Sequence, residues 1–281
     1  MTEPDLPTLV FLHHFGGSAR SWDAVIDRLG GAFPTLALNL PGFGSAADAP
    51  GPYSVSAYAD VVGADIRALG PRDFILIGHS MGGKVALALA ARQPAGLRAL
   101  LLLAPSPPTP EPIEEAARGE LIAGWGEYGA MFKALAQSTA VPLPGDARRL
   151  AIDDMMHCGK AAWTAWLTAG SREDISAYMP HVRAPVRILS GTCDAVLPTA
   201  LMRDEVAERL ADARVDTVPG AGHLLPMEVP DAVAAAILSV VDAATSDAAR
   251  LVDRSRDGRS RPRQLMSGRG NLQPGLPSAL G

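Results

Sequence analysis

Phe74-Ile75-Leu76-Ile77-Gly78-His79-Ser80-Met81-Gly82-Gly83-Lys84-Val85-Ala86-Leu87-Ala88 is the stretch that decides the reading of this chain. An apolar run of strand length meets a turn of glycines around a serine, and an alanine- and leucine-rich helical stretch follows. A serine at such an apex takes strained backbone angles, so the residues two before and two after it must be small. Gly78 and Gly82 meet that demand. The turn lifts the Ser80 hydroxyl clear of a sheet and sets it at a helix N-terminus, where free N–H groups favour developing negative charge.

A serine hydroxyl attacks poorly unless a base takes its proton, and the base needs a group to orient it. Val186-Arg187-Ile188-Leu189-Ser190-Gly191 reads as a strand, with Asp194 in the loop that follows. Arg214-Val215-Asp216-Thr217-Val218 reads as the next strand, and His223 follows in its loop. Ser80, Asp194 and His223 thus each lie just past the C-terminal end of a predicted parallel strand, the edge where open α/β sheets bind ligands. Asp194 as a helix cap and Asp216 as a rival acid remain open; Asp216 lies within a strand rather than at its end.

Working outward, short apolar strands are predicted at 8–12, 35–39, 74–77, 98–103, 186–190 and 214–218. Helices are predicted at 20–29, 54–69, 82–92, 200–210 and 229–243, with Ser21 and Ser54 as N-caps. The alternation specifies an α/β protein with a parallel sheet covered on both faces. It stops between Pro105 and Pro180, where prolines give way to helical pieces at 113–123, 126–137, 146–157 and 160–169. From 245 to 281 the chain is rich in Arg, Ser, Gly and Pro without a period and reads as disordered.

The composition, 48% hydrophobic and 20% charged, suits a large globular core. A formal net charge of −5 argues against a nucleic-acid partner, the only basic stretch being the arginine-bearing tail. No leader peptide is visible at the N-terminus, no apolar run approaches membrane-spanning length, and two cysteines are too few for a disulfide framework. A cytoplasmic setting is expected. Cys193 is expected to be a small buried hydrophobe, and His157 with Cys158 lacks the further ligands a metal needs.

Leu12-His13-His14-Phe15-Gly16-Gly17-Ser18, Asn39-Leu40-Pro41-Gly42-Phe43-Gly44-Ser45, the serine turn, Gly191-Thr192-Cys193-Asp194 and Gly220-Ala221-Gly222-His223 stand in family order and spacing. On these segments the chain, from about Leu9 to Val241, resembles a capped α/β-hydrolase of the serine esterase and cofactor-free haloperoxidase (perhydrolase) group. The resemblance implies an α/β-hydrolase fold with a mostly parallel, doubly wound sheet of about six strands. The N-terminal antiparallel hairpin usual in this fold is expected to be missing, since seven residues precede the first predicted strand. It implies a core of 1–104 and 181–244, a helical cap at 105–180 and a tail at 245–281. Ser80, Asp194 and His223 would be the triad, with the backbone N–H groups of Phe15 and Met81 as the oxyanion hole. His14, Trp125, Met155, Trp163, Trp166 and Leu224 would line the pocket. His14 stands where the family usually has glycine.

The implied reaction is cleavage of a small-molecule ester or lactone, without cofactor, metal, nucleic acid or membrane; the oligomeric state is left open. Perhydrolysis or carbon–carbon bond hydrolysis on the same triad is an alternative. So is a ligand-binding protein with vestigial catalysis. A serine nucleophile excludes the dehalogenase and epoxide hydrolase chemistry that aspartate performs on this fold.

Overall fold

Large apolar side chains alternate between two faces along the central strands, and each face collects its own core. The computed structural model describes the backbone of residues 6–257 and the side chains of 6–246. The chain runs β1 (Thr8–Leu12), a 3-10 turn (Ala19–Trp22), α1 (Asp23–Arg28), β2 (Thr35–Leu38), α2 (Val55–Leu69), β3 (Phe74–His79), α3 (Met81–Ala90) and β4 (Leu97–Leu103). Four helices follow: α4 (Glu115–Ala123), α5 (Tyr128–Ser138), α6 (Gly145–His157) and α7 (Lys160–Thr168). The alternation then resumes with β5 (Val186–Gly191), α8 (Thr199–Leu201), β6 (Ala213–Val218), α9 (Leu225–Glu228) and α10 (Pro230–Asp257).

Among the described residues the six strands form one wholly parallel α/β-hydrolase sheet in the order β2-β1-β3-β4-β5-β6. Val10, Leu12, Leu76, Leu100, Leu102 and Ile188 face α2, α3 and the helices inserted after β4. Leu9, Phe11, Ile75, Ile77, Leu101 and Leu103 face α1 and α10 on the other side. The period of two that makes this division is the pleat itself. β1, β3 and β4 lie inside the sheet, so the loops after β1 and β3 emerge side by side at the same edge.

The structure departs from expectation in three places. Ser54 caps α2 by accepting the Ala57 N–H at 3.1 Å, but Ser18 rather than Ser21 caps the turn at Ala19–Trp22. The Ser21 hydroxyl instead completes a capping box with the Ser18 N–H. The predicted helix at 200–210 is three unlike pieces, α8, a π-turn (Met202–Val206) and a 3-10 turn (Ala207–Arg209). Its apolar spacing fits all three hydrogen-bond ladders, so pattern alone does not separate them. Finally, 245–257 is helix rather than the start of a structureless tail, because no glycine or proline interrupts the chain between Asp231 and Gly258. The expectation for 258–281 lies outside the described residues. Among the described residues no helix is long and apolar enough to cross a membrane.

Candidate active site

Ser80 sits between β3 and α3 at φ 51 and ψ −116, a conformation that L-residues rarely hold. The surroundings fix it there. Its N–H donates to the Leu103 carbonyl at 3.0 Å, and its carbonyl accepts from Gly83, Lys84 and Ser106 at 2.8, 3.2 and 2.9 Å. A Cβ at position 82 would fall 2.5 and 2.6 Å from the carbonyl oxygens of Leu12 and His13. Only glycine therefore lets the first turn of α3 press against the end of β1.

That contact sets Ser80 beside the loop after β1. Leu40 N–H donates to His13 Nε2 at 3.1 Å, so the ring proton is on Nδ1, which donates to the His14 carbonyl at 2.8 Å. Gly17 N–H closes on the same carbonyl at 3.0 Å, and Gly16, at φ +78, makes the turn. The loop thus accommodates His14 without a glycine at that position. The backbone N–H groups of Phe15 and Met81 have no acceptor within the described chain.

The His223 imidazole bridges the other two predicted residues. Its Nε2 lies 3.0 Å from Ser80 Oγ and its Nδ1 lies 2.8 Å from Asp194 Oδ2. All three side chains are buried. Asp194 Oδ1 accepts the N–H groups of Val196 and Leu197, each at 2.8 Å, so one carboxylate both caps its loop and faces the histidine. Asp216 is elsewhere, paired with Arg187 at 2.6 Å on the half-exposed face of β6.

Three further histidines surround this bridge, and burial keeps all of them neutral. It lowers His13 to about 4 and His14 to about 3, and takes His79 well below the usual range. His79 donates from Nε2 to the His223 carbonyl at 2.8 Å, away from the Ser80 hydroxyl.

A residue the sequence reading missed holds the loop of His223. Glu228, buried on α9, accepts the Gly222 N–H at 3.0 Å and the Leu224 N–H at 2.9 Å, the amides on either side of His223. It also accepts the Ala140 and Val141 N–H groups at 2.9 and 2.8 Å, just beyond α5. The signal was a lone carboxylate within the apolar stretch Leu224-Leu225-Pro226-Met227-Glu228-Val229. Glu228→Gln replaces one acceptor oxygen by an NH₂ facing N–H donors. We expect a loss of about 1–3 kcal/mol in stability, read as a lower Tm by circular dichroism, and a fall in kcat larger than any change in KM.

A cavity of about 190 Å³ opens over Ser80 and His223. Of the predicted pocket residues, His14, Met155, Trp163, Trp166 and Leu224 line it, and the Phe15 ring packs on Trp163 with centroids 4.3 Å apart. Trp125 does not line it. Its indole N–H donates to the Cys158 carbonyl at 3.1 Å, and the Lys160 ammonium lies 5.4 Å over its ring. The polar edge of Trp125 is satisfied within the inserted helices, which removes it from the cavity wall. Glu111, Leu135 and Leu197 also line the cavity, and nothing in their sequence periodicity marked them. Cys193 is exposed rather than buried, because it sits on the outer turn between β5 and Asp194. Among the described residues no cluster of three metal-ligating side chains occurs.

Residues 9–236 match the model of the alpha/beta hydrolase family. The chain belongs to that family. This alpha/beta hydrolase is 31% identical over 234 residues to pimeloyl-(acyl-carrier protein) methyl ester esterase of Neisseria meningitidis serogroup B (strain MC58), covering 78% of this chain and 87% of that one. It is 29% identical over 252 residues to 2-succinyl-6-hydroxy-2,4-cyclohexadiene-1-carboxylate synthase of Enterobacter sp. (strain 638), covering 85% and 93%. Among solved structures it shares its fold with an esterase from Exiguobacterium antarcticum at a TM-score of 0.78 and 18% identity, covering 84% and 92%.

Proposed function

We propose that this chain, an ester-acting member of the alpha/beta hydrolase family, cleaves carboxylic esters or lactones of small to medium apolar substrates through an acyl-enzyme on Ser80. The observation that carries the reading is the pair of hydrogen bonds made by His223, to Ser80 Oγ at 3.0 Å and to Asp194 Oδ2 at 2.8 Å. Asp194 holds the Nδ1–H tautomer, which leaves Nε2 free to take the serine proton. Oγ attacks the acyl carbon, and the Phe15 and Met81 N–H groups receive the oxyanion. His223 returns the proton to the departing alcohol. Water then enters, gives a proton to His223 and releases the acid, with Ser80 restored.

The segment 105–180, carrying α4 to α7, serves as the cap. It supplies Met155, Trp163 and Trp166 to a wall that excludes water and favours apolar acyl groups. The substrate is a small molecule, and neither nucleic acid nor membrane takes part. The cytoplasm suits the two unpaired cysteines, Cys158 and Cys193.

The test is turnover of p-nitrophenyl esters from acetate to decanoate. We expect kcat/KM to peak at a short or medium chain and to fall by decanoate, as the cavity fills. A flat profile would overturn the enclosed apolar pocket. Silence across the series, with Ser80 still labelled by a fluorophosphonate, would point to a competent nucleophile behind a selective wall.

A further inference from the structure

The cavity over Ser80 is built mostly from apolar and aromatic side chains, and among the described residues no lysine or arginine lines it. One acidic side chain does. Glu111 belongs to the proline-rich stretch that leaves β4 and lines the cavity with Ser80 and His223, and its carboxyl is near enough to feel the charge of His223. The backbone there is firmly tied: Glu111 N–H donates to the Ser171 carbonyl at 2.8 Å, and Ile113 N–H donates back to the Glu111 carbonyl at 2.8 Å. Lys84, the buried cation of the same region, donates to the Thr109 carbonyl at 3.1 Å and does not reach the cavity wall. Burial raises the pKa of Glu111, and the neighbouring Ser106 hydroxyl and then the charge of Lys84 oppose the rise.

A carboxyl on an apolar wall imposes a condition on whatever fills the space. A hydrocarbon pressed against it leaves its oxygens with no donor beyond the neighbouring Ser106 hydroxyl, which disfavours binding. A second carboxylate adds repulsion in a site that offers no cation in compensation. A hydroxyl or amino group satisfies it. We propose that Glu111 sets the substrate class of this site, selecting esters that carry a hydroxyl or amino group and rejecting esters that carry a free carboxylate. The inference rests on the reading of Ser80 as the centre of an esterase.

The test separates binding from turnover. Methyl butyrate, hexanoate and octanoate are each prepared with a methyl, hydroxyl, amino or carboxylate end. Their affinities for Ser80→Ala are measured by calorimetry. At the chain length that reaches Glu111, the hydroxyl or amino ester should bind about 10- to 100-fold more tightly than the carboxylate-ended one. Glu111→Leu in the same background should erase that ranking, while Glu111→Gln should keep the preference for hydroxyl and lose the preference for amine. Equal binding of all ends, a preference for carboxylate, or a ranking that survives Glu111→Leu would overturn the proposal. Turnover of the same esters by the Ser80 enzyme is the separate readout. The expected ranking in binding without any turnover sinks the esterase reading and leaves Glu111 standing; turnover without the ranking does the reverse.

Discussion

Ser80→Ala should lower kcat by about 10⁴- to 10⁶-fold, the loss expected when a nucleophile that works as part of a unit is removed. The alanine takes away the one oxygen that lies 3.0 Å from His223 Nε2, and no neighbouring side chain can replace it as an acyl acceptor. The three histidines nearby are neutral, and two of them are already engaged, His13 at both ring nitrogens and His79 at its Nε2. The four main-chain hydrogen bonds that fix the turn use backbone atoms only, so they survive the change. The Tm should therefore stay close to that of the parent. Kinetics with p-nitrophenyl hexanoate and a thermal melt check the two halves together. Retained turnover in a folded variant would remove Ser80 from the mechanism.

Asp194→Asn is expected to cost about 10⁴-fold in kcat, through a proton in the wrong place rather than a broken contact. Asp194 Oδ1 accepts two backbone N–H groups, those of Val196 and Leu197, each at 2.8 Å. The asparagine carbonyl must occupy that position, because its NH₂ cannot accept there. The NH₂ then faces His223 Nδ1, which is forced to accept. The ring proton moves to Nε2 and points at Ser80 Oγ, so the base is no longer available. Asp216→Asn is the control, with kcat expected to remain within about twofold because a change at a surface ion pair has little effect. Damage by Asp216→Asn with little effect from Asp194→Asn would reverse the choice of acid.

The parallel strands and the serine turn were readable because local rules govern them. Strand-length apolar runs such as Phe74-Ile75-Leu76-Ile77 admit one reading beside a glycine-bounded serine, and loops at strand ends carry Asp194 and His223 to the same edge. Glu228 was invisible for the opposite reason. Two of its four hydrogen bonds join α9 to the turn beyond α5, more than eighty residues away in sequence, and no local pattern records such a closure. The cavity wall was half legible. Tryptophan and methionine marked the segment as apolar, but the face each side chain turns inward depends on how the helices pack. Trp163 and Trp166 sit on the inner face of α7, while Trp125 spends its indole on Cys158 and Lys160. Beyond Thr245, low complexity suggested a break, yet helix propensity persists until the first glycine.

The clasp of Glu228 on Ala140 and Val141 also limits how this molecule can be recombined. Residues 105–180 look like an interchangeable module, bounded by strands at both ends, and substrate range in such a scaffold invites segment exchange between relatives. Here the module is not separable. The backbone beyond α5 shares a carboxylate with the amides flanking His223, and the Ser138 carbonyl accepts the N–H of His223 itself at 2.9 Å. A graft that omits this short turn would alter the histidine's footing along with the pocket. Chimaeras intended to change only what the protein accepts must therefore carry Ser138 to Val141 across unchanged.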